Sequence, residues 1–255
     1  MIFLKVNFGG FVPLSTVDWR GRSVCTVFLR GCPVHCFYCQ NENIRTGSDL
    51  REIDEIIGMI KKARLLISGV VFSGGEPTMQ KDALIVMAIA CKKMGLGVGI
   101  HTNGVFPETI KELIDQGVLG KVALDLKTSW DNYDELLKKE SSGEVKKSLA
   151  ILKEAYKSGK LPEFEVVFTI FPGMEEILPA ILKEAEGVDF VLQQGVLAGQ
   201  EPLTFDRLAE LAYSTGRIIK IRTRDEGELV FENGKIYTAG SILTTELMQP
   251  ENGGI

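Results

Sequence analysis

Histidine is almost missing from this chain of 255 residues, with only His35 and His101. Structural zinc usually takes four ligands arriving as two pairs from separate knuckles, and no second Cys or His pair exists here to complete such a set. No apolar run approaches about 18 residues, so no membrane-spanning helix is expected. The first residues, MIFLKVNFGGFVPLSTVDW, carry neither a basic start nor an apolar stretch with a small-residue cleavage site, so a cytoplasmic location is expected. Positive charge is not in excess either. With 29 Lys and Arg against 34 Asp and Glu, the net charge is -5, and the field of the whole molecule offers no attraction to phosphate backbones or anionic membranes. Nucleic acid is therefore an unexpected partner, although a local basic groove stays open. Linkers rich in Pro, Ser or Gly are absent, which favours one domain.

What is present is an ordinary globular composition, 45% hydrophobic and 25% charged. Short apolar runs alternate with stretches of helical period from Ser23 onward. SVCTVFLR, GVVFSGG, GVGIHTNG, KVALDLK, EFEVVFTIFPG and DFVLQQG predict six buried strands. REIDEIIGMIKKAR, KDALIVMAIACKKMG, PETIKELIDQG, GEVKKSLAILKEAYKSG and MEEILPAILKEAEG predict the helices between them, several closing on Lys and then Gly. Repeated βα units imply a parallel sheet with both faces covered, as an open doubly wound sheet or a complete or partial barrel. A later helix, TFDRLAELAYSTG, a short run, IIKIRT, and a hairpin turning at Asn233-Gly234 complete the reading. The tail after about Leu247 is expected to be loosely held.

Three of the five cysteines fall within eight positions, as Cys32, Cys36 and Cys39. A redox CxxC explains Cys36 and Cys39 but leaves Cys32 without a role. Cysteines are also often plain buried hydrophobes, which is how Cys25 in a strand and Cys91 in a helix read. Three thiolates on one tight loop suit a cubane cluster, each on a different iron, with the fourth iron left open for chemistry. The strands end in further polar signals. Ser73-Gly74-Gly75-Glu76-Pro77-Thr78 offers glycines for close backbone approach and a carboxylate acceptor for an ammonium-like donor. His101-Thr102-Asn103-Gly104 follows the next strand, and Asp125-Leu126-Lys127 the one after, with Asp125 and Lys127 on the same side by strand alternation. Phe171-Pro172-Gly173 and Gln193-Gln194 close the last two predicted strands.

CPVHCFYC, with Tyr38 at its aromatic position, resembles the CxxxCx-aromatic-C loop of the radical S-adenosylmethionine superfamily. The resemblance implies an α/β partial (β/α)6 TIM-like barrel with a C-terminal β-hairpin extension. It divides the chain into an N-terminal lead-in over residues 1–22, the barrel over 23–228 and the hairpin and tail over 229–255 of the same domain. It further implies one 4Fe-4S cluster on Cys32, Cys36 and Cys39, and S-adenosylmethionine held by Tyr38, Gly74, Gly75, Glu76, Thr102, Asn103, Asp125 and Lys127. No side chain is assigned a general acid or base role. STVDWRG before TVFLRGC, the DLK triplet, the paired glutamines and IRTRDEGE are similar to the glycyl radical enzyme activases, and most of all to the anaerobic ribonucleoside-triphosphate reductase activating protein. This implies an anaerobic oxidoreductase that takes hydrogen from a partner's glycine through a 5'-deoxyadenosyl radical, fed by a low-potential donor such as flavodoxin or ferredoxin. A radical enzyme acting on a small molecule or RNA shares these motifs, and a non-catalytic iron-sulfur or zinc protein is the reading from a different class.

Overall fold

The computed structural model describes residues 4–232, 235–238 and 241–243. The chain opens with β1 (Lys5–Ser15) and β2 (Val24–Leu29), followed by α1 (Glu42–Arg45), β3 (Leu50–Glu52) and α2 (Ile53–Ala63). Alternation then sets in with β4 (Gly69–Gly74), α3 (Lys81–Lys93), β5 (Gly97–Thr102), α4 (Pro107–Asp115) and β6 (Lys121–Asp125). Next come α5 (Trp130–Leu137), α6 (Ser142–Lys157), β7 (Glu163–Ile170), α7 (Leu178–Glu184), β8 (Asp189–Gln194) and α8 (Phe205–Ser214). The chain continues through β9 (Ile219–Arg222), β10 (Glu228–Glu232), β11 (Lys235–Thr238) and β12 (Ser241–Leu243).

The strands form one sheet in the order β12-β11-β10-β9-β8-β7-β6-β5-β4-β2-β1-β3. From β2 to β9 all neighbours are parallel. The six apolar runs are therefore joined by a seventh parallel strand. IIKIRT supplies it, because Val191 pairs with Lys220 and Leu192 with Ile221. Burial on both faces explains why β2 and β4 read as continuous apolar runs without alternation. The helices cover the outer face; α2 buries Ile53, Ile56, Ile60 and Ala63 against it. Cys25 and Cys91 are fully buried in that core.

The inner face carries Val24 and Val71 against Trp19, a second apolar group of Ala123, Val167 and Val191, and charged side chains beyond them, and the sheet curls around it as a partial barrel. Its floor is closed by the turn between β1 and β2. Trp19, 1% exposed, lies where a Cβ on Gly99 would come within 3.1 Å and one on Gly120 within 2.9 Å of its ring. Its Nε1 donates to Glu163 Oε2 at 2.9 Å. Those glycines leave the space that the indole fills.

Three local expectations change. Arg51 and Glu52 do not begin a helix, since β3 pairs with β1 through Lys5 opposite Glu52, and sheet pairing overrides local propensity. β1 itself, within the lead-in segment, is antiparallel to β2. α5 adds a helix that the apolar period does not reveal, because in eight residues it buries only Tyr133 and Leu137, too short a stripe to register. β10 and β11 form the expected antiparallel pair, with Glu232 opposite Lys235; the Asn233-Gly234 turn and the tail after Leu247 lie outside the described residues. No helix among the described residues is long and apolar enough to cross a membrane.

Candidate active site

β2 delivers the chain into the cysteine loop at Gly31, whose φ of +101 is a conformation glycine adopts freely. Backbone hydrogen bonds pin the loop from two sides. Gly31 N donates to Ile44 O at 2.9 Å and Cys32 N to Arg45 O at 3.0 Å, while His35 N donates to Leu137 O at 3.1 Å. Cys32, Cys36 and Cys39 are all partly buried free thiols. Burial pushes Cys32 up to about 11, with Glu76, Cys36 and Cys39 adding to the rise and the Val34 backbone opposing it. Burial raises Cys36 as well, against the pull of Lys127. Among the described residues no three His, Cys, Asp or Glu side chains converge on a point that would suit one metal ion. A cluster makes a different demand, because each thiolate meets its own iron.

The turn after β4 locks onto this loop. Gly75 N donates to Leu29 O and Glu76 N to Gly31 O, both at 2.8 Å. Gly74 has φ +115, and a Cβ there would stand 2.5 Å from Leu29 O; a Cβ on Gly75 would collide with the Gly31 carbonyl. Gly75→Ala should therefore part the two loops, at a cost of about 1–3 kcal/mol or more. The expected result is a lowered melting temperature and reduced iron content after anaerobic reconstitution; wild-type values for both would refute the contact.

Glu76 is fully buried. Its Oε1 accepts from Thr78 N at 3.0 Å, from the Thr78 hydroxyl and from Thr102 Oγ1 at 2.7 Å, and its Oε2 accepts from Asn103 N at 2.7 Å. Burial raises its pKa while these donors oppose the rise. The carboxylate expected to meet a ligand is thus engaged by protein donors, and it knits the glycine turn to the Thr102-Asn103 loop. Asn103 Nδ2 in turn reaches Cys32 Sγ at 3.5 Å.

These loops surround a cavity of about 440 Å³ at the C-terminal ends of the parallel strands, where barrels of this type carry their sites. Cys36, Tyr38, Cys39, Gly74, Thr102, Asn103, Asp125 and Lys127 line it; Cys32, Gly75 and Glu76 do not belong to the lining. Lys127 Nζ pairs with Asp125 Oδ2 at 2.8 Å and lies 5.4 Å above the Tyr38 ring. Burial works against the lysine's charge, but Asp125, Tyr38 and Cys36 together outweigh it and hold the pKa well above the ordinary value. Tyr38 packs 4.9 Å from Phe171. Its hydroxyl is the one buried side-chain polar atom without a partner among the described residues.

Phe171, Gln193 and Gln194 also line the cavity, as do Thr169, Gln40, Asn41, Arg222 and Arg224, to which no role had been given. Alternation in IKIRTR places Lys220, Arg222 and Arg224 on one face, and that pattern was the available signal. Below Arg222 runs a buried charge network. Glu165 Oε1 lies 3.1 Å from Lys121 Nζ and 3.3 Å from Arg222 Nη2, its Oε2 lies 3.5 Å from Lys220 Nζ, and Arg222 also pairs with Glu228 at 2.5 Å.

The donor set fits a cluster with a bound sulfonium amino acid: three thiols on one loop, glycine backbone beside them, a buried cation for a carboxylate and an unpartnered phenol. Comparison with known proteins agrees. The model of the radical SAM superfamily matches residues 26–177. A Methanocaldococcus jannaschii protein that carries the provisional name glycyl-radical enzyme activating enzyme is 35% identical over 198 residues, 75% of this chain and 80% of its own. The pyruvate formate-lyase 1-activating enzyme of Escherichia coli is 30% identical over 136 residues, 50% of this chain and 54% of that one. Streptococcus suis SuiB bound to S-adenosylmethionine shares the fold, with a TM-score of 0.61 at 18% identity over 76% of this chain; the match spans 48% of SuiB. From the cysteine loop, the strand-end cavity and the span of the family match, the chain belongs to the radical SAM superfamily, enzymes that bind a 4Fe-4S cluster and S-adenosylmethionine.

Proposed function

We propose that this enzyme is a glycyl radical enzyme activase, of the type that serves anaerobic ribonucleotide reductase, and that it removes hydrogen from the α-carbon of one glycine in a partner protein. The observation that carries the activase reading is the similarity, over three-quarters of this chain and four-fifths of the relative, to a protein provisionally named a glycyl-radical enzyme activating enzyme; the reductase type rests on the resemblance of the paired glutamines and IRTRDEGE. The cysteine inventory supports it: apart from the loop, only Cys25 and Cys91 occur, both buried in the core, so the chain lacks the extra cysteine groups that auxiliary clusters require.

In this reading Cys32, Cys36 and Cys39 hold the cluster, Tyr38, Gly74, Thr102, Asn103, Asp125 and Lys127 face S-adenosylmethionine, and Gly75 and Glu76 serve it indirectly by fixing the turn that presents Gly74. When bound, cluster and cofactor together supply one-electron cleavage of a carbon-sulfur bond and the hydrogen abstraction that follows. The protein's part is placement. Lys127, kept protonated chiefly by Asp125, faces a carboxylate; Gly74 lets a ligand approach the main chain; Tyr38 and Phe171 wall the cavity; Trp19 fills the barrel floor beneath it. Electrons come from a low-potential flavodoxin or ferredoxin in a cytoplasmic setting.

The test is anaerobic incubation of the reconstituted enzyme with dithionite, S-adenosylmethionine and the glycyl radical protein encoded nearest its own gene. A glycyl radical in the partner's paramagnetic resonance spectrum, formed in step with 5'-deoxyadenosine, is expected. Cofactor cleavage stimulated by RNA or a small molecule, with no radical on the protein, would overturn the proposal.

A further inference from the structure

His101 stands on β5 between the Trp19 floor and the cavity that it lines. Its Nε2 lies 3.0 Å from the carbonyl oxygen of Asp18, the residue before Trp19. A carbonyl only accepts, so the hydrogen of this bond sits on Nε2, and in the neutral ring Nδ1 is left as a bare acceptor. Burial lowers the ring's pKa and favours that neutral form; Arg222 and Lys121 act in the same direction, and Asp18 and Glu165 oppose them. The Asp18 carboxylate is turned to another task, accepting from Thr26 Oγ1 at 2.6 Å. Among the described residues Nδ1 has no protein partner, although the ring forms part of the cavity wall. His101 lines the same cavity as Cys36 and Cys39, and the charged groups around its ring are Asp18, Glu165, Arg222 and Lys121.

We propose that His101 is a cofactor-contact residue, whose proton is fixed on Nε2 by the Asp18 carbonyl so that Nδ1 accepts a hydrogen bond from a hydroxyl or amino group of S-adenosylmethionine. The floor turn then has a second duty besides filling the barrel floor: it sets the tautomer of a residue in the ligand's wall. Ligand-contacting imidazoles commonly depend on such a bond at the other nitrogen. The inference rests on the family's cofactor and is independent of which partner the enzyme activates.

Side-chain amides separate the two nitrogens. His101→Asn places an oxygen acceptor near the position of Nδ1 and gives up the bond to Asp18; His101→Gln keeps a donor near Nε2 and gives up the acceptor. Each variant is reconstituted anaerobically, checked by circular dichroism and iron content, and titrated with S-adenosylmethionine by equilibrium dialysis in the absence of partner protein. His101→Gln and His101→Leu should each bind about tenfold more weakly, and His101→Asn within about threefold of wild type, in keeping with one hydrogen bond to the ligand. The reverse order, with Gln like wild type and Asn like Leu, would make His101 merely a support for the floor turn and overturn the proposal. So would unchanged cofactor affinity in all three variants with a raised KM for the partner, which would assign the donor to the protein substrate. An enzyme that binds the cofactor in the expected order yet activates no glycine would leave His101 in place and remove the activase reading instead.

Discussion

Cys36→Ala protein should fold, melt within a few degrees of wild type and release no 5'-deoxyadenosine above background under dithionite, a loss of about three orders of magnitude or more. Cys32→Ala and Cys39→Ala should match it, and pairing two of them should add nothing, because residues acting through one cluster are not additive. The fold survives because these side chains sit on a loop held by its main chain: Gly31 N to Ile44 O, Cys32 N to Arg45 O and His35 N to Leu137 O involve no thiol. Removing one partly buried sulfur costs about 1 kcal/mol. Cys91→Ala is the contrasting case. That thiol is fully buried in α3, with its pKa pushed up to about 12 by burial, so truncation should lower stability and leave cluster content and cleavage intact. Cleavage at the wild-type rate in any of the three loop variants would remove the cluster assignment, and with it the chemistry.

Glu165→Ala should cost about 3–5 kcal/mol of stability, measured by urea or thermal unfolding, since it strands buried positive charges. Lys121, with its side chain 6% exposed, loses its 3.1 Å partner, and Arg222 keeps Glu228 as its one paired carboxylate among the described residues. The pH dependence has a definite sign. Burial alone would raise the Glu165 pKa, but Lys121, Arg222 and Lys220 outweigh it and lower it from 4.5 to about 2. A carboxylate depressed in the folded state stabilises the protein above its unfolded pKa, and that stability is lost as pH falls through the folded one. Wild type should therefore lose about 3 kcal/mol from this group between pH 4.5 and about 2. Glu165→Ala should show a shallower acid slope across that window. Equal slopes, or a loss under 1 kcal/mol at pH 7, would show that the network is solvated and contributes little. Because Arg222 lines the cavity, the same variant should also weaken cofactor binding.

Local patterns made much of this protein readable in advance. The spacing of Cys32, Cys36 and Cys39, the glycines of the GGE turn and the pairing of Asp125 with Lys127 on one strand face are set within a few residues, where covalent geometry confines side chains to predictable sides. The six apolar runs between helical stretches implied a parallel sheet in the same way, since only strands covered on both faces read as continuous Val, Ile and Phe.

Other features depend on contacts between distant segments. Trp19 finds its place only because Gly97, Gly99 and Gly120 leave a hollow opposite it, and its indole N–H meets a carboxylate 144 residues away. β3 is a strand only because β1 lies beside it, and IIKIRT becomes the seventh parallel strand through its register with β8. Glu76 reads from the sequence as an acceptor for a ligand, and only the fold of the turn against Thr102 and Asn103 gives both of its oxygens protein donors. His101 meets the Asp18 carbonyl, 83 residues earlier, only through the fold, and that contact places the proton on Nε2.

The chain by itself determined which thiols, glycines and charged groups stand together at fixed short spacings, because covalent geometry sets those distances. Which of those groups face the ligand and which face the protein was decided only when the sheet curled. That choice depends on hydrogen-bond partners and excluded volume contributed by segments that no local period connects.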